Sequence, residues 1–133
     1  MLIWDKSYSV GVKELDDQHK KMIEFINNLE MSSHTTDNRD SMVKVLNGLV
    51  AYTKDHFANE ELYFRQFDYD KTDDHIQEHL KLMSEVEQLV YKFELREPLD
   101  LNKVMEFLKT WLVDHILGAD QEYVDCFSRN GLV

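Results

Sequence analysis

The chain has 133 residues, of which 43% are hydrophobic, and this length and composition provide the core of one domain rather than two. Its formal net charge of −11, without a basic patch, argues against nucleic acids and anionic membrane surfaces as partners. Four glycines and one proline are too few for the turns of an all-β protein and favour long helices.

Cysteine content and the start of the chain indicate the cellular compartment. Cys126 is the single cysteine, so an internal disulfide is excluded and we expect a buried structural thiol. The N-terminus lacks a basic segment followed by an apolar run, and no run approaches the ~18 apolar residues of a membrane span. These features predict a soluble protein of the reducing cytoplasm, with a monomer as the default expectation.

The first segment, residues 1–11, lacks helical periodicity and predicts an extended N-terminal arm. Trp4, Tyr8 and Val10 are spaced so that the arm packs its side chains against the rest of the protein. Gly11 is expected to end the arm before the first helix.

Four helices are predicted after the arm, each with apolar residues at steps of three and four. The expected spans are about 12–31, 39–66, 71 or 72 to 94, and a fourth that begins after Pro98 with Asp100 as its N-cap. The polar stretch 32–38 predicts a loop, in which Asp37 or Asn38 caps the second helix. Short connections favour antiparallel neighbours, so the sequence predicts an all-α, up-down-up-down four-helix bundle, with residues 1–133 as a single domain.

Polar side chains interrupt the apolar stripes of all four helices. Five of the six histidines, one glutamate and one aspartate form a pattern of metal ligands. Two of these groups are pairs at i, i+4, which places both side chains on one helix face. In the second helix the expected stripe is Met42, Val45, Leu49, Tyr52, His56, Glu60 and Tyr63. The seven candidate ligands are His19, His56, Glu60, His75, His79, His115 and Asp120.

Burial of these polar groups inside a bundle needs a common partner. Without one, burying so many of them would cost several kcal/mol or more, and a metal is the simplest partner. Asp120 departs from the helical register, because a step of five residues from His115 turns it roughly 140° around an ideal helix. It reaches the site only if the chain bends there or if the helix axis is oriented to let it reach, and Gly118 allows a local distortion.

The donor types favour a pair of metal ions. Seven nitrogen and oxygen ligands without sulfur disfavour a structural zinc site, which takes four ligands. With two six-coordinate ions, both carboxylates bridging and a bridging hydroxide, one position stays open for a small molecule such as dioxygen. Ferritin-like di-iron sites contain more carboxylates and fewer imidazoles. Fewer anionic ligands stabilise high-valent iron less, which favours reversible binding over oxygen activation.

At this point the chain resembles the hemerythrin family, in particular the bacterial single-domain hemerythrins. The resemblance covers nearly the whole chain and rests on the segments Ser9–Val12, Leu15–Lys20, His56–Glu61, His75–His79 and His115–Asp120. It implies an antiparallel four-helix bundle that holds two iron ions in an oxo- or hydroxo-bridged, non-haem di-iron centre.

The resemblance also implies a role for each ligand. His75, His79 and His115 would bind one iron, and His19 and His56 would bind the other. Glu60 and Asp120 would bridge the two ions. Dioxygen would bind end-on at the iron with two histidines and be held as hydroperoxide.

Three apolar residues match positions beside the dioxygen site of the family, namely Trp111, Ile116 and Leu117. An apolar wall there would exclude water and slow autoxidation, although each residue is equally accounted for as ordinary bundle core.

The expected function is reversible dioxygen binding for carriage, storage, delivery or sensing, with small anions such as azide as further ligands. The alternatives are a di-iron oxidase, a peroxidase or a nitric-oxide-reducing enzyme, and iron storage. We expect no enzyme, because no evident general acid or base accompanies the ligands.

Overall fold

The architecture is a bundle of four long helices followed by two short ones. The computed structural model describes residues 1–34 and 39–133, so the expected cap at Asp37 or Asn38 lies outside the described residues. The long helices are α1 (Lys13–Ser33), α2 (Arg39–Gln66), α3 (Thr72–Glu94) and α4 (Leu101–Leu117). The short helices are α5 (Ala119–Glu122) and α6 (Val124–Arg129).

Helix contacts give the order of the bundle. Helix α1 packs against α2 and α4, and α2 packs against α3. Short connections make consecutive helices antiparallel, so the predicted up-down-up-down bundle is confirmed. Asp100 caps α4 as expected, because its carboxylate accepts hydrogen bonds from the backbone N–H groups of Asn102 and Lys103. Among the described residues, we find no helix that combines the length and the apolar character needed to span a bilayer.

The N-terminal arm contains one turn of 3-10 helix, Lys6–Tyr8, within its otherwise extended backbone. The sequence did not predict this turn, which forms because the Asp5 carboxylate accepts a hydrogen bond from the backbone N–H of Ser7. At the start of the arm, the backbone N–H of Leu2 donates to the side-chain oxygen of Asn27 in α1. The arm therefore lies along the bundle, as its aromatic spacing indicated.

The arm joins α1 through a tight connection at Gly11. Gly11 has a φ of +77°, a conformation that residues with a side chain rarely adopt. Beside it, the Asp16 carboxylate accepts hydrogen bonds from the Ser9 hydroxyl (2.6 Å) and the Val10 N–H (2.8 Å). These bonds hold the arm against the first turn of α1.

Two apolar clusters fill the interior. The larger, which we call the main core, lies between the four long helices and includes Met22, Leu49, Leu82 and Trp111. The smaller, which we call the second core, joins the arm, the end of α2 and the two short helices. Its buried members are Val10, Val12, Leu15, Phe64, Tyr69, Tyr123, Cys126 and Phe127. Cys126 is thus a buried free thiol, as predicted.

The buried face of α2 differs from its predicted stripe. Val45, Tyr52 and Tyr63 are only half-buried, whereas their neighbours in sequence face the core. The side chains that are buried instead are Leu46, Thr53 and Phe64. A tyrosine does not distinguish a buried position from one at the edge of the core, because its ring packs against the core while its hydroxyl stays near water. The prediction was therefore wrong at these three positions.

Candidate metal centre

The seven candidate ligands converge between the main core and the second core, and all seven are buried. They form two groups, within each of which one donor atom per residue lies within 4.8 Å of all the others. The first group is Glu60, His75, His79, His115 and Asp120. The second group is His19, His56, Glu60 and Asp120. The two carboxylates belong to both groups, whereas each histidine belongs to one.

Asp120 reaches the centre because the chain bends at Gly118. Helix α4 ends at Leu117, and the backbone N–H of Gly118 donates to the carbonyl of Asp114 (2.9 Å). A Cβ atom at Gly118 would lie 2.8 Å from that carbonyl oxygen, too close for a real contact. Only glycine fits this bend, after which α5 turns Asp120 into the interior.

The two oxygens of Asp120 face different groups of histidines. Oδ1 lies 3.1 Å from Nε2 of His75 and 3.0 Å from Nε2 of His115. Oδ2 lies 3.0 Å from Nε2 of His19. This arrangement suits a carboxylate that bridges two ions.

Glu60 also lies between the two groups. Its Oε1 is 3.5 Å from Nε2 of His56 and 3.2 Å from Nε2 of His79. Its Oε2 accepts a 2.6 Å hydrogen bond from the hydroxyl of Tyr123, a fully buried residue of the second core. Burial, together with the charges of Glu60 and Asp120, holds the pKa of Tyr123 well above its usual value, so the hydroxyl stays protonated and donates.

The donor atoms fit a cation. Within the described residues, no hydrogen bond satisfies Nε2 of any of the five histidines, Oε1 of Glu60 or either oxygen of Asp120. Buried polar atoms are normally paired, so a cluster of orphaned atoms aimed at one volume indicates a missing common partner. Imidazole and carboxylate donors without sulfur suit iron and similar divalent metals.

Side chains around the ligands fix two of the imidazole rings. Nδ1 of His56 lies 2.6 Å from Oε1 of Gln18, and Nδ1 of His79 lies 2.8 Å from Oε2 of Glu61. An acceptor at Nδ1 holds the proton there and leaves Nε2 free for a metal. The ring of Phe57 stacks on that of His79 with centroids 3.7 Å apart, which further limits its rotation.

Burial and the carboxylates act in opposite directions on the histidines. Burial lowers the pKa of both His56 and His79 to about 4, so these two rings are neutral at pH 7. Burial also opposes protonation of His115, but the facing carboxylates of Asp120 and Glu60 outweigh it and raise its pKa to about 9. In the metal-free centre a proton therefore partly compensates the carboxylate charge.

The residues expected to line a dioxygen pocket flank His115 in the sequence of α4 but differ in exposure. Trp111 is buried, and its indole N–H donates to the carbonyl of Leu82 (3.1 Å). Ile116 is also buried, whereas Leu117 is 45% exposed at the end of α4. Leu117 is therefore partly open to solvent and is not enclosed as Trp111 and Ile116 are. His34, which is not among the seven candidate ligands, is exposed.

Comparison with known proteins assigns the family. The model of the hemerythrin HHE cation binding domain matches residues 10–127. The chain belongs to the hemerythrin family. A bacteriohemerythrin of Methylococcus capsulatus is 31% identical, over 96% of this chain and 98% of that protein. A bacteriohemerythrin of Clostridium acetobutylicum is 27% identical, over 94% of this chain and all of that protein.

Solved hemerythrin structures share the fold. A crystal structure of wild-type hemerythrin superimposes with a TM-score of 0.87 at 31% identity, over 96% of this chain and 98% of that chain. A hemerythrin-like protein of Naegleria gruberi is 32% identical, over 90% of this chain and 88% of that protein. The hemerythrin family therefore accounts for both the bundle and the cation-binding character of the centre.

Three contacts of this hemerythrin centre were not anticipated from the sequence. They are the bonds of Tyr123, Gln18 and Glu61 to ligand side chains. Gln18 directly precedes His19 in sequence, and Glu61 directly follows Glu60. The polar character of these two neighbours was the one sequence feature that could have predicted their bonds to ligand side chains. Tyr123 follows the bend at Gly118, where helical periodicity carries no information.

Proposed function

We propose that this hemerythrin domain binds dioxygen reversibly at a di-iron centre, for carriage, storage, delivery or sensing. The observation that carries the proposal is the sharing of Glu60 and Asp120 by two otherwise separate groups of histidines. Two carboxylates common to both groups suit two adjacent ions better than one.

The unequal groups suggest where dioxygen binds. His75, His79 and His115 offer three imidazoles to one ion, and His19 and His56 offer two to the other. If Glu60 and Asp120 were shared by both ions, the ion held by two histidines would have one fewer protein donor. We propose that dioxygen, or a small anion such as azide, occupies that position.

The bound iron ions would supply the redox chemistry and the open coordination position, and the protein would control access and polarity. Trp111 and Ile116, which are buried and flank His115 in the sequence of α4, would exclude water from the centre. Tyr123 holds Glu60 in place and keeps its own proton. With five imidazoles and two carboxylates, the ligand set favours binding over turnover, so we propose a binding protein rather than an enzyme.

Other properties extend this proposal. We propose that residues 1–133 act as one domain, that the domain works as a monomer, and that the protein resides in the cytoplasm. The single cysteine is compatible with a reducing compartment. Size-exclusion chromatography with light scattering tests the monomer.

The test of the function is the visible absorption spectrum of the iron-loaded protein. The protein is reduced without air, and is then exposed in turn to air, argon and air again. A charge-transfer band that appears with dioxygen, disappears under argon and returns supports the proposal, together with two iron ions per chain by metal analysis. Irreversible conversion to a ferric spectrum, with peroxide released or consumed, would contradict it in favour of oxidase or peroxidase chemistry.

A further inference from the structure

Thr53 is a buried polar residue that the ligand set does not include. Its side chain is fully buried in α2, and within the described residues its hydroxyl has no hydrogen-bond partner. A helical threonine usually bonds the carbonyl four residues earlier, but Thr53 does not. A buried hydroxyl without a partner destabilises the fold. Its presence therefore indicates that it bonds a molecule other than the protein itself.

Thr53 lies one helical turn from the metal centre. Thr53 and His56 are three residues apart in α2 and share its buried face. Because α1 and α2 are antiparallel, the residue at the same level of α1 is Met22, which follows His19 by three positions. On the other two helices this level is marked by Leu82 and Trp111, which are joined by a hydrogen bond. Thr53 is thus a hydroxyl in an otherwise apolar layer.

This layer faces the side of the centre that the carboxylates do not occupy. Glu60 is one turn after His56, and its Oε2 is held by Tyr123 of the second core. Asp120 enters from α5, three residues before Tyr123 in sequence. Both bridging candidates therefore come from the side of the second core. Neither candidate bridging carboxylate therefore comes from the opposite side, toward Thr53 and the main core.

We propose that the Thr53 hydroxyl donates a hydrogen bond to a small ligand held at the His19 and His56 side of the centre. It would favour ligands whose atoms accept a hydrogen bond, such as dioxygen and azide, and slow their release. This inference rests on the proposed function, since it assumes that the centre takes an exogenous ligand there.

The first test uses the metal-free protein and needs no ligand. Thr53→Val keeps the branched shape of the side chain and removes the hydroxyl. If the hydroxyl is an unpaired buried group, the Tm of the metal-free variant should rise by about 3–8 °C. An unchanged or lower Tm would show that the hydroxyl already has a structural partner, which overturns the inference.

The second test uses the iron-loaded protein and measures the release of dioxygen from the reduced form and of azide from the ferric form. Loss of one hydrogen bond predicts release roughly five- to tenfold faster from Thr53→Val, with association little changed. Thr53→Ser keeps a hydroxyl and should release both ligands at a rate within about twofold of wild type. Equal release from wild type and Thr53→Val would overturn the inference, even if the metal-free variant is more stable.

Azide separates this inference from the proposed function. If the wild type fails to bind dioxygen reversibly but Thr53→Val releases azide faster, the function is wrong and the role of Thr53 stands. If dioxygen binds reversibly but neither ligand responds to Thr53→Val, the function stands and the role of Thr53 is wrong.

Discussion

The hydroxyl of Tyr123 donates a 2.6 Å hydrogen bond to Oε2 of Glu60, and both residues are fully buried. We predict that Tyr123→Phe lowers metal affinity by about 10–100-fold, because contacts that orient a ligand carry effects of this size. The metal-free variant should also lose roughly 1.5–3 kcal/mol of unfolding free energy, since the bond has a charged acceptor. Competition with a chelator measures the first effect and urea unfolding the second.

Tyr69 provides the matched control for Tyr123. It is buried in the same second core, but its hydroxyl has no hydrogen-bond partner in the described part of the chain. Tyr69→Phe should leave metal affinity unchanged and be neutral or stabilising. Similar losses of metal affinity in both variants would show that the effect arises from altered packing, not from the bond to Glu60.

We predict that Gly118→Ala weakens both metal binding and the fold. The added Cβ would lie 2.8 Å from the Asp114 carbonyl oxygen, so the bend must open and Asp120 must shift. The expected outcome is a loss of metal affinity of at least about tenfold and of roughly 1–3 kcal/mol in stability. Gly131→Ala is the control, because the φ of +78° at Gly131 would strain an alanine, whereas Gly131 lies beyond the last helix. Unchanged metal content in Gly118→Ala would contradict the role of the bend.

We predict that the size of residue 117 controls access to the centre. Leu117 is 45% exposed and adjoins buried Ile116, so truncation would open the wall to water and anions. Leu117→Ala should raise the autoxidation rate of the oxygenated protein, and Leu117→Tyr should alter the rate of azide entry. Leu95→Ala removes another exposed leucine, beyond the end of α3, and should change neither rate. Unchanged rates in both Leu117 variants would refute the prediction.

Removal of the metal should lower the thermal stability substantially. A ligand that binds only the folded state stabilises it by about 4 kcal/mol at a thousand times its dissociation constant. For a chain of 133 residues, this corresponds to a fall in Tm of roughly 10–15 °C after treatment with a chelator. Added iron should restore the Tm of wild type but not of Asp120→Asn. Equal recovery in that variant would exclude Asp120 from the ligand set.

One contribution to the pH dependence of stability comes from the pair of Glu30 and Lys109. The Lys109 ammonium donates a hydrogen bond to Glu30 and lowers the pKa of that carboxyl below its ordinary 4.5. The contribution is therefore fully present above pH 4.5 and is lost as the pH falls through the lower, folded-state value. Glu30→Gln should cost ~0.5–1 kcal/mol at pH 7, since the pair is partly exposed. Denaturation of metal-free wild type and Glu30→Gln should show that the difference between their unfolding free energies is smaller at pH 3 than at pH 7. The same difference at both pH values would refute the prediction.

Periodicity was sufficient to predict the long helices and the histidines, but not every buried position. The predicted bounds of the first three helices agree with the structure to within two residues, because their ends coincide with polar loops and charged turns. Helix α2 has 28 residues, and two sets of positions one residue apart both recur at steps of three and four along it. The set that includes the tyrosines was predicted to be buried, whereas the other set is the more buried one. Thr53 was omitted for this reason.

The rest of the centre depends on tertiary contacts that a single sequence does not encode locally. Asp120 lies outside the helical register of His115, and only the bend at Gly118 brings it inward. The bond from Tyr123 to Glu60 joins segments 63 residues apart. Neither contact follows from spacing, whereas the two pairs at i, i+4 do.

The position of Asp120 so late in the chain has a consequence for the unfolded state. The candidate ligands extend from His19 in α1 to Asp120 in α5, so bound ions would cross-link segments separated by most of the sequence. A cross-link that closes a loop of ~100 residues restricts the disordered chain enough to favour folding by about 4–5 kcal/mol, if it behaves as a disulfide does. With a single cysteine the protein lacks an internal disulfide. Ions shared by Glu60 and Asp120 would instead provide the cross-link between distant segments that a disulfide provides in other proteins.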